Sequence, residues 1–196
     1  MTVVYFIRHA QSDRNFHDER TRPLTEEGFS DSEKVAEKLK DKGITRIISS
    51  PYTRTLQTVE SLSRALKLET ETDERLRERG AGKWHGDKFF DFVRRQWEDF
   101  DYRIEGGESL RQVQDRNIEA LGEILRKYRG GILALSVHGT ALSTVLNYFY
   151  PEYGFDCFLK ITDLMPLVLK ATFEENRGGI VCTEVREIFS VRKSYK

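Results

Sequence analysis

The stretch TVVYFIRHAQSDRN, residues 2–15, begins as a run of β-branched and aromatic side chains and stops abruptly at an arginine and a histidine, with small polar residues behind them. An apolar run that does not alternate with polar residues suits a strand buried on both faces, as in a parallel sheet covered by helices. Residues 46–48 and 132–137 have the same character, and each of the three runs is followed by a helical pattern. Residues 25–42 read as a helix with Thr25 as N-cap, Phe29, Val35 and Leu39 on one face, and Gly43 as its stop. Residues 52–66 repeat the pattern through Leu56, Val59, Leu62 and Leu66. Residues 108–128 turn Leu110, Val113, Ile118, Leu121 and Leu125 inward, and residues 140–150 end before Pro151. Runs at 168–173 and 181–189 read as further strands or an edge hairpin around Gly178-Gly179. Strand alternating with helix is an α/β signature.

The 196 residues suit one domain, and 38% hydrophobic content is enough for a sizeable core. Lys plus Arg and Asp plus Glu balance at 32 each, with no long block of one sign, so neither nucleic acid nor a membrane is expected as a partner. The five apolar residues after Thr2 are too few for a signal or spanning segment, and the expectation is a soluble, cytoplasmic protein whose two cysteines, Cys157 and Cys182, are reduced. The segment DKFFDFVRRQWEDFDYR, residues 87–103, sets Phe89, Val93, Trp97 and Phe100 at helical spacing, a pattern that reads first as core packing and could also cover a pocket.

In an open α/β sheet, ligands bind beyond the carboxyl ends of the strands. That is where the unusual residues fall. The first strand runs into Arg8-His9, the second into SSPYTR with Arg54 in the first helical turn, and the third into His138-Gly139. Two histidines and two arginines at one sheet edge suit a phosphoryl group: arginine offers a planar fork of donors, helix N-termini add N–H groups, and a neutral imidazole is a competent nucleophile toward phosphorus. The four histidines are scattered, and no metal or cofactor is expected. A cysteine phosphatase would need an arginine six residues after a cysteine, where this chain has Asp163 and Ile188. The segment GAGKW resembles a phosphate loop only superficially, since Arg77 and Trp84 stand at positions that a glycine and a Ser or Thr must fill.

These residues resemble the histidine phosphatase superfamily, the phosphoglycerate mutase-like proteins. FIRHAQSDRN is similar to the family's strand followed by Arg-His-Gly-Glu-Thr and a later Asn, with Ala10, Gln11 and Ser12 replacing Gly, Glu and Thr and Asn15 at the Asn position. RPLTEEG resembles Pro-Leu-Thr-x-x-Gly, ISSPYTRTLQT resembles Ser-Ser-x-x-x-Arg-x-x-Gln-Thr, and LRERGAGKWHG resembles Leu-x-Glu-x-x-x-Gly-x-Trp-Glu-Gly. GGESLRQVQDR and LSVHG complete six matches in family order over residues 3–139. Departures are His85 after Trp84, Asp31 for a usual Gln, and Thr140 for the second Gly after His138.

The resemblance implies a three-layer α/β/α fold with a mostly parallel central sheet, one domain over residues 1–196, and a helical cap-like segment around 80–108. It implies that His9 is the nucleophile, oriented by a backbone carbonyl, that Arg8, Arg54 and His138 bind the phosphoryl oxygens with Asn15 adding a hydrogen bond, and that Glu78 is the acid and base. Glu108 and Ser109 would support that site, and His85 would lie at the pocket rim. The expected partner is a small phosphorylated metabolite and the expected activity a phosphatase, with a phosphoglycerate-type mutase or a non-catalytic phosphate-binding protein as alternatives.

Overall fold

At the centre of the sheet lies β1 (Thr2–Arg8), paired parallel to β4 (Ile132–Val137) on one side and antiparallel to β5 (Leu164–Asn176) on the other. The computed structural model describes residues 1–83 and 89–193. Beyond β4 follow β2 (Arg46–Ser49) and the short edge strand β3 (Thr70–Thr72), both parallel, and beyond β5 the long edge strand β6 (Gly179–Arg192), antiparallel. Three of the five pairings are thus parallel, in the order β3-β2-β4-β1-β5-β6, and the two antiparallel ones come from the C-terminal hairpin.

Successive β1 side chains feed opposite layers, as a strand buried on both faces must. Tyr5 and Ile7 pack against α1 (Glu26–Leu39) and α2 (Thr53–Leu66), through Val35, Leu39, Val59 and Leu62. Val4 and Phe6 pack against α4 (Leu110–Lys127) and α5 (Gly139–Phe149), through Leu121, Leu125, Leu142 and Val145. A third cluster joins α3 (Phe89–Glu98) to α6 (Phe155–Ile161), with Phe92, Val93, Trp97 and Phe158 in contact. Each fully buried aliphatic side chain contributes about 1.5–3 kcal/mol. None of the helices among the described residues is long and apolar enough to cross a membrane.

Local chemistry sets the helix starts. Thr25 Oγ1 accepts the N–H of Gly28 at 3.0 Å, and Ser109 forms a capping box with Gln112. Gly28 is required by close approach: a Cβ there would lie 2.1 Å from the carbonyl oxygen of Gln11. The buried face of α1 is Gly28, Asp31, Ser32, Val35 and Leu39, so Phe29, expected inward, projects outward and is 41% exposed, one residue off that stripe. Asp31, the departure from the family's Gln, is buried and paired with Lys34 (2.8 Å) and with buried Lys193, which ties the residue after β6 to α1.

The helices at 108–128 and 140–150 lie within two residues of their expected limits, while β3 and α6 were not expected. β3 is three polar residues at an edge, and α6 is less than two turns, so neither carries a periodic signal. The two late runs form one hairpin, β5 and β6, longer than expected. Cys157 and Cys182 are free thiols.

Candidate active site

The carboxyl ends of β1, β2 and β4 come together because the ladder continues past the strands: His9 N–H donates to the Val137 carbonyl at 3.1 Å and Ser50 N–H to the Ser136 carbonyl at 2.9 Å. His9, Ser50 and His138 are thereby set side by side. The His9 and His138 rings meet edge-on with centroids 5.3 Å apart, and Tyr52 stands edge-on to His138 at 5.0 Å.

His9 is 7% exposed, and its Nδ1 lies 2.7 Å from the carbonyl oxygen of its neighbour Ala10. A carbonyl only accepts, so Nδ1 carries the proton and Nε2 keeps its lone pair. Burial and then the guanidinium charges of Arg54 and Arg8 hold the His9 pKa well below the ordinary value of 6.5, against the opposing effect of the Ala10 bond. The ring is neutral. Ala10 is anchored in turn by its N–H, which donates to Thr58 Oγ1 at 2.9 Å.

His138 is fully buried behind His9 and Tyr52 and does not line the pocket. Its Nε2 lies 2.8 Å from the Ser50 hydroxyl, while its Nδ1 has no hydrogen-bond partner among the described residues. Burial, followed by the charge of Arg54, keeps it neutral as well.

Arg54, in the first turn of α2, is 2% exposed. Its Nη1 donates to the Glu19 carbonyl at 2.5 Å, its guanidinium lies 5.0 Å from the Tyr52 ring centroid, and its buried Nε has no hydrogen-bond partner among the described residues. Arg8 lies at the pocket floor, with Nη1 donating to the carbonyls of Ile161 and Leu164 (3.1 Å to the latter) and Nη2 to Thr162 at 3.1 Å. The turn after α6 thus anchors this charge at the sheet edge. Gly139 makes room for it: a Cβ there would lie 3.1 Å from the Arg8 guanidinium.

Glu78 reaches the pocket from the loop after β3. Its Oε1 accepts from the N–H of Arg79 (2.8 Å) and of Ala141 (3.2 Å), and its Oε2 from that of Thr140 (3.1 Å). The carboxylate therefore sits on the N-terminus of α5, the favourable end of the helix dipole. Glu108 and Arg116 hold its loop. Glu108 accepts from Gly80 N–H (2.9 Å), Arg77 Nη2 (2.6 Å) and Arg116 Nε and Nη2 (2.9 Å each), while Arg116 donates to the carbonyls of Arg75, Arg77 and Glu78.

The expected residues His9, Glu78, Arg8 and Arg54 line one pocket, with His138 immediately behind. Asn15 does not: it is exposed, its N–H donates to Asp13 Oδ1 in a local turn, and Arg14 lines the pocket instead. Trp84 and His85 lie outside the described residues. Arg79, Arg22, Tyr52 and Glu19 also line the pocket and were not expected from the sequence. Arg79 is 9% exposed, donates to Gln96, stacks 5.1 Å from the Phe92 ring centroid, and has a buried Nε with no hydrogen-bond partner among the described residues. Its only signal was a charge run, which ordinarily marks a solvated surface. Among the described residues there is no group of three or more His, Cys, Asp or Glu that could hold a metal ion.

The family model of the histidine phosphatase superfamily, branch 1, matches residues 4–167. The chain is 31% identical to a probable phosphoglycerate mutase GpmB of Salmonella paratyphi B over 160 residues, 75% of this chain and 74% of that protein. A mycobacterial glucosyl-3-phosphoglycerate phosphatase shares the fold with a TM-score of 0.73 at 20% identity, over 94% of this chain and 96% of the other. A phosphoserine phosphatase of Entamoeba histolytica, solved with phosphoserine, does so with a TM-score of 0.75 at 21% identity, over 94% and 96%. With a family model matched from the first strand into the fifth, this chain belongs to the histidine phosphatase superfamily.

Proposed function

We propose that this protein is a cytoplasmic, metal-independent phosphatase that hydrolyses a phosphomonoester of a small metabolite through a phosphohistidine at His9. The observation that carries the reading is the His9 ring itself, neutral by burial, with Nδ1 on the Ala10 carbonyl and Nε2 left as a nucleophile between two guanidinium groups. Nε2 attacks phosphorus as the bond to the leaving oxygen breaks, and Glu78 gives that oxygen its proton. Water then attacks the phosphohistidine, Glu78 takes a proton from it, and His9 and phosphate are released. Charge on the phosphoryl oxygens is met by Arg54 and by the fixed charge of Arg8, while neutral His138 packs edge-on against the His9 ring from behind.

The substrate proposed carries a second anionic group. Arg79 lines the pocket beside Phe89, which supports a short acidic metabolite. Solved proteins of this fold have been seen with phosphoserine and with 3-phosphoglyceric acid. Residues 1–196 form one domain with a helical cap-like segment around 80–108, within which residues 84–88 lie outside the described residues. A mutase is the second reading, favoured by the name of the curated relatives at 31% identity.

The test is release of phosphate from an aryl phosphate in excess chelator by the wild type and by His9→Ala, beside an assay of 2- and 3-phosphoglycerate interconversion. The expected result is phosphate release that His9→Ala abolishes. Interconversion without phosphate release would establish the mutase, and turnover surviving in His9→Ala would overturn both readings.

A further inference from the structure

Glu19 stands at the mouth of the pocket, and its carboxylate engages two of the guanidinium groups that face an incoming anion. Oε2 lies 3.3 Å from Nη2 of Arg54, and Oε1 accepts from Nη2 of Arg22. The turn that presents it is firmly held. Asp18 Oδ1 accepts from the N–H groups of Arg20 (2.8 Å) and Thr21 (2.9 Å), and Arg22 N–H returns to the Asp18 carbonyl at 2.9 Å. The Arg20 carbonyl accepts from Thr53 N–H at 3.0 Å, which staples the turn to the start of α2, and the Arg20 guanidinium forms a two-pronged pair with Glu74 (2.9 and 2.8 Å).

Backbone and side chain differ in freedom here. The position of residue 19 is fixed, and its carbonyl is bound by Arg54, yet the Glu19 side chain is 59% exposed and can turn into water at little cost. Arg54, 3% exposed, cannot follow it. A phosphate bound at Arg54 and Arg22 meets the Glu19 carboxylate as a like charge competing for the same donors.

We propose that Glu19 is a built-in competitor of the substrate's and product's anionic group, a carboxylate that takes back Arg54 and Arg22 and so hastens the departure of inorganic phosphate. The inference rests on the phosphatase reading, and it assigns to one residue the balance between capture and release at that site. Glu19 touches no reacting atom; it acts through the two arginines.

The experiment is calorimetric titration of wild type, Glu19→Gln and Glu19→Ala with inorganic phosphate, together with product inhibition by phosphate in the aryl phosphate assay. Removing the negative charge should tighten phosphate about twofold to fivefold, the range for a partly exposed pair of this kind. The phosphate inhibition constant and KM should fall together, kcat should not rise, and the difference from wild type should shrink as salt is added. Unchanged or weaker phosphate binding in both variants overturns the proposal, because Glu19 would then merely position Arg54. Wild type that binds no phosphate would overturn the phosphatase reading first and this inference with it.

Discussion

Replacing Glu108 by Gln should loosen the loop that carries Glu78 without touching the pocket's arginines. The carboxylate accepts four hydrogen bonds, two on each oxygen, from Arg77, Gly80 and Arg116. An amide keeps one accepting oxygen and turns its NH2 toward an arginine, so at least two charge-assisted bonds are lost. Glu108 and Arg116 are 18% and 11% exposed, and the loss is worth about 2–4 kcal/mol of stability. Because Arg116 also binds the Glu78 carbonyl, part of that loss reaches the acid, and kcat should fall about tenfold or more with KM little changed. Burial alone would raise the Glu108 pKa, but the bonds from Arg116 and Gly80 and the charges of Arg116 and Arg77 outweigh it and hold it below its ordinary 4.5. The unfolded chain therefore takes up this proton first as pH falls. Glu108 stabilises the fold above its unfolded pKa, the contribution is lost as pH falls through the lower folded pKa, and the variant lacks that acid-side loss. Urea unfolding across pH with aryl phosphate kinetics measures both. Stability within about 0.5 kcal/mol of wild type and an unchanged kcat would show that Glu108 does not hold the Glu78 loop.

Three further outcomes follow from the same geometry. His9 and His138 are held neutral by burial and then by the charge of Arg54, so the unfolded state gains protons near pH 6.5 while the native state does not; stability should be full above that pH and decline below it, with the acid limb of kcat/KM well under 6.5, and an NMR titration of His9 near 6.5 would contradict this. Gly28→Ala drives a methyl to 2.1 Å from a backbone oxygen and should cost about 2–4 kcal/mol, read as a fall in urea midpoint, whereas a neutral effect would show that α1 can shift. Glu78→Gln should lower kcat/KM, which reports the step that expels the leaving group, far more for alkyl phosphates, whose leaving oxygen needs a proton, than for nitrophenyl phosphate, and an equal loss of kcat/KM for both would remove Glu78 as the acid.

The family motifs were legible because each letter answers a contact. In SSPYTRTLQT, Ser50 meets His138, Arg54 lines the pocket, the Gln57 side chain accepts the Leu24 N–H at 2.8 Å, and Thr58 fixes Ala10. The layers were legible from the apolar runs, since Val4 and Phe6 against Tyr5 and Ile7 leave no polar face. Arg79 and Glu19 were not legible, because a charged residue in a charged run carries no sign of its partner until the fold sets Gln96 beside Arg79 and Arg54 beside Glu19. Asp31 stands out in the sequence only as a departure from a usual Gln, and its partner, Lys193, lies 162 residues away in the chain. Long-range pairing of that kind leaves no periodic trace in the sequence.

Whether His9 Nε2 takes the phosphoryl group, as proposed, can be read by rapid quenching of the enzyme during turnover of an aryl phosphate, followed by mass spectrometry under alkaline conditions that preserve phosphohistidine. The expected result is a phosphoryl adduct on the peptide containing His9, absent from His9→Ala and longer-lived in Glu78→Gln. Turnover by the wild type with no adduct at His9, or with the adduct on His138, would contradict it.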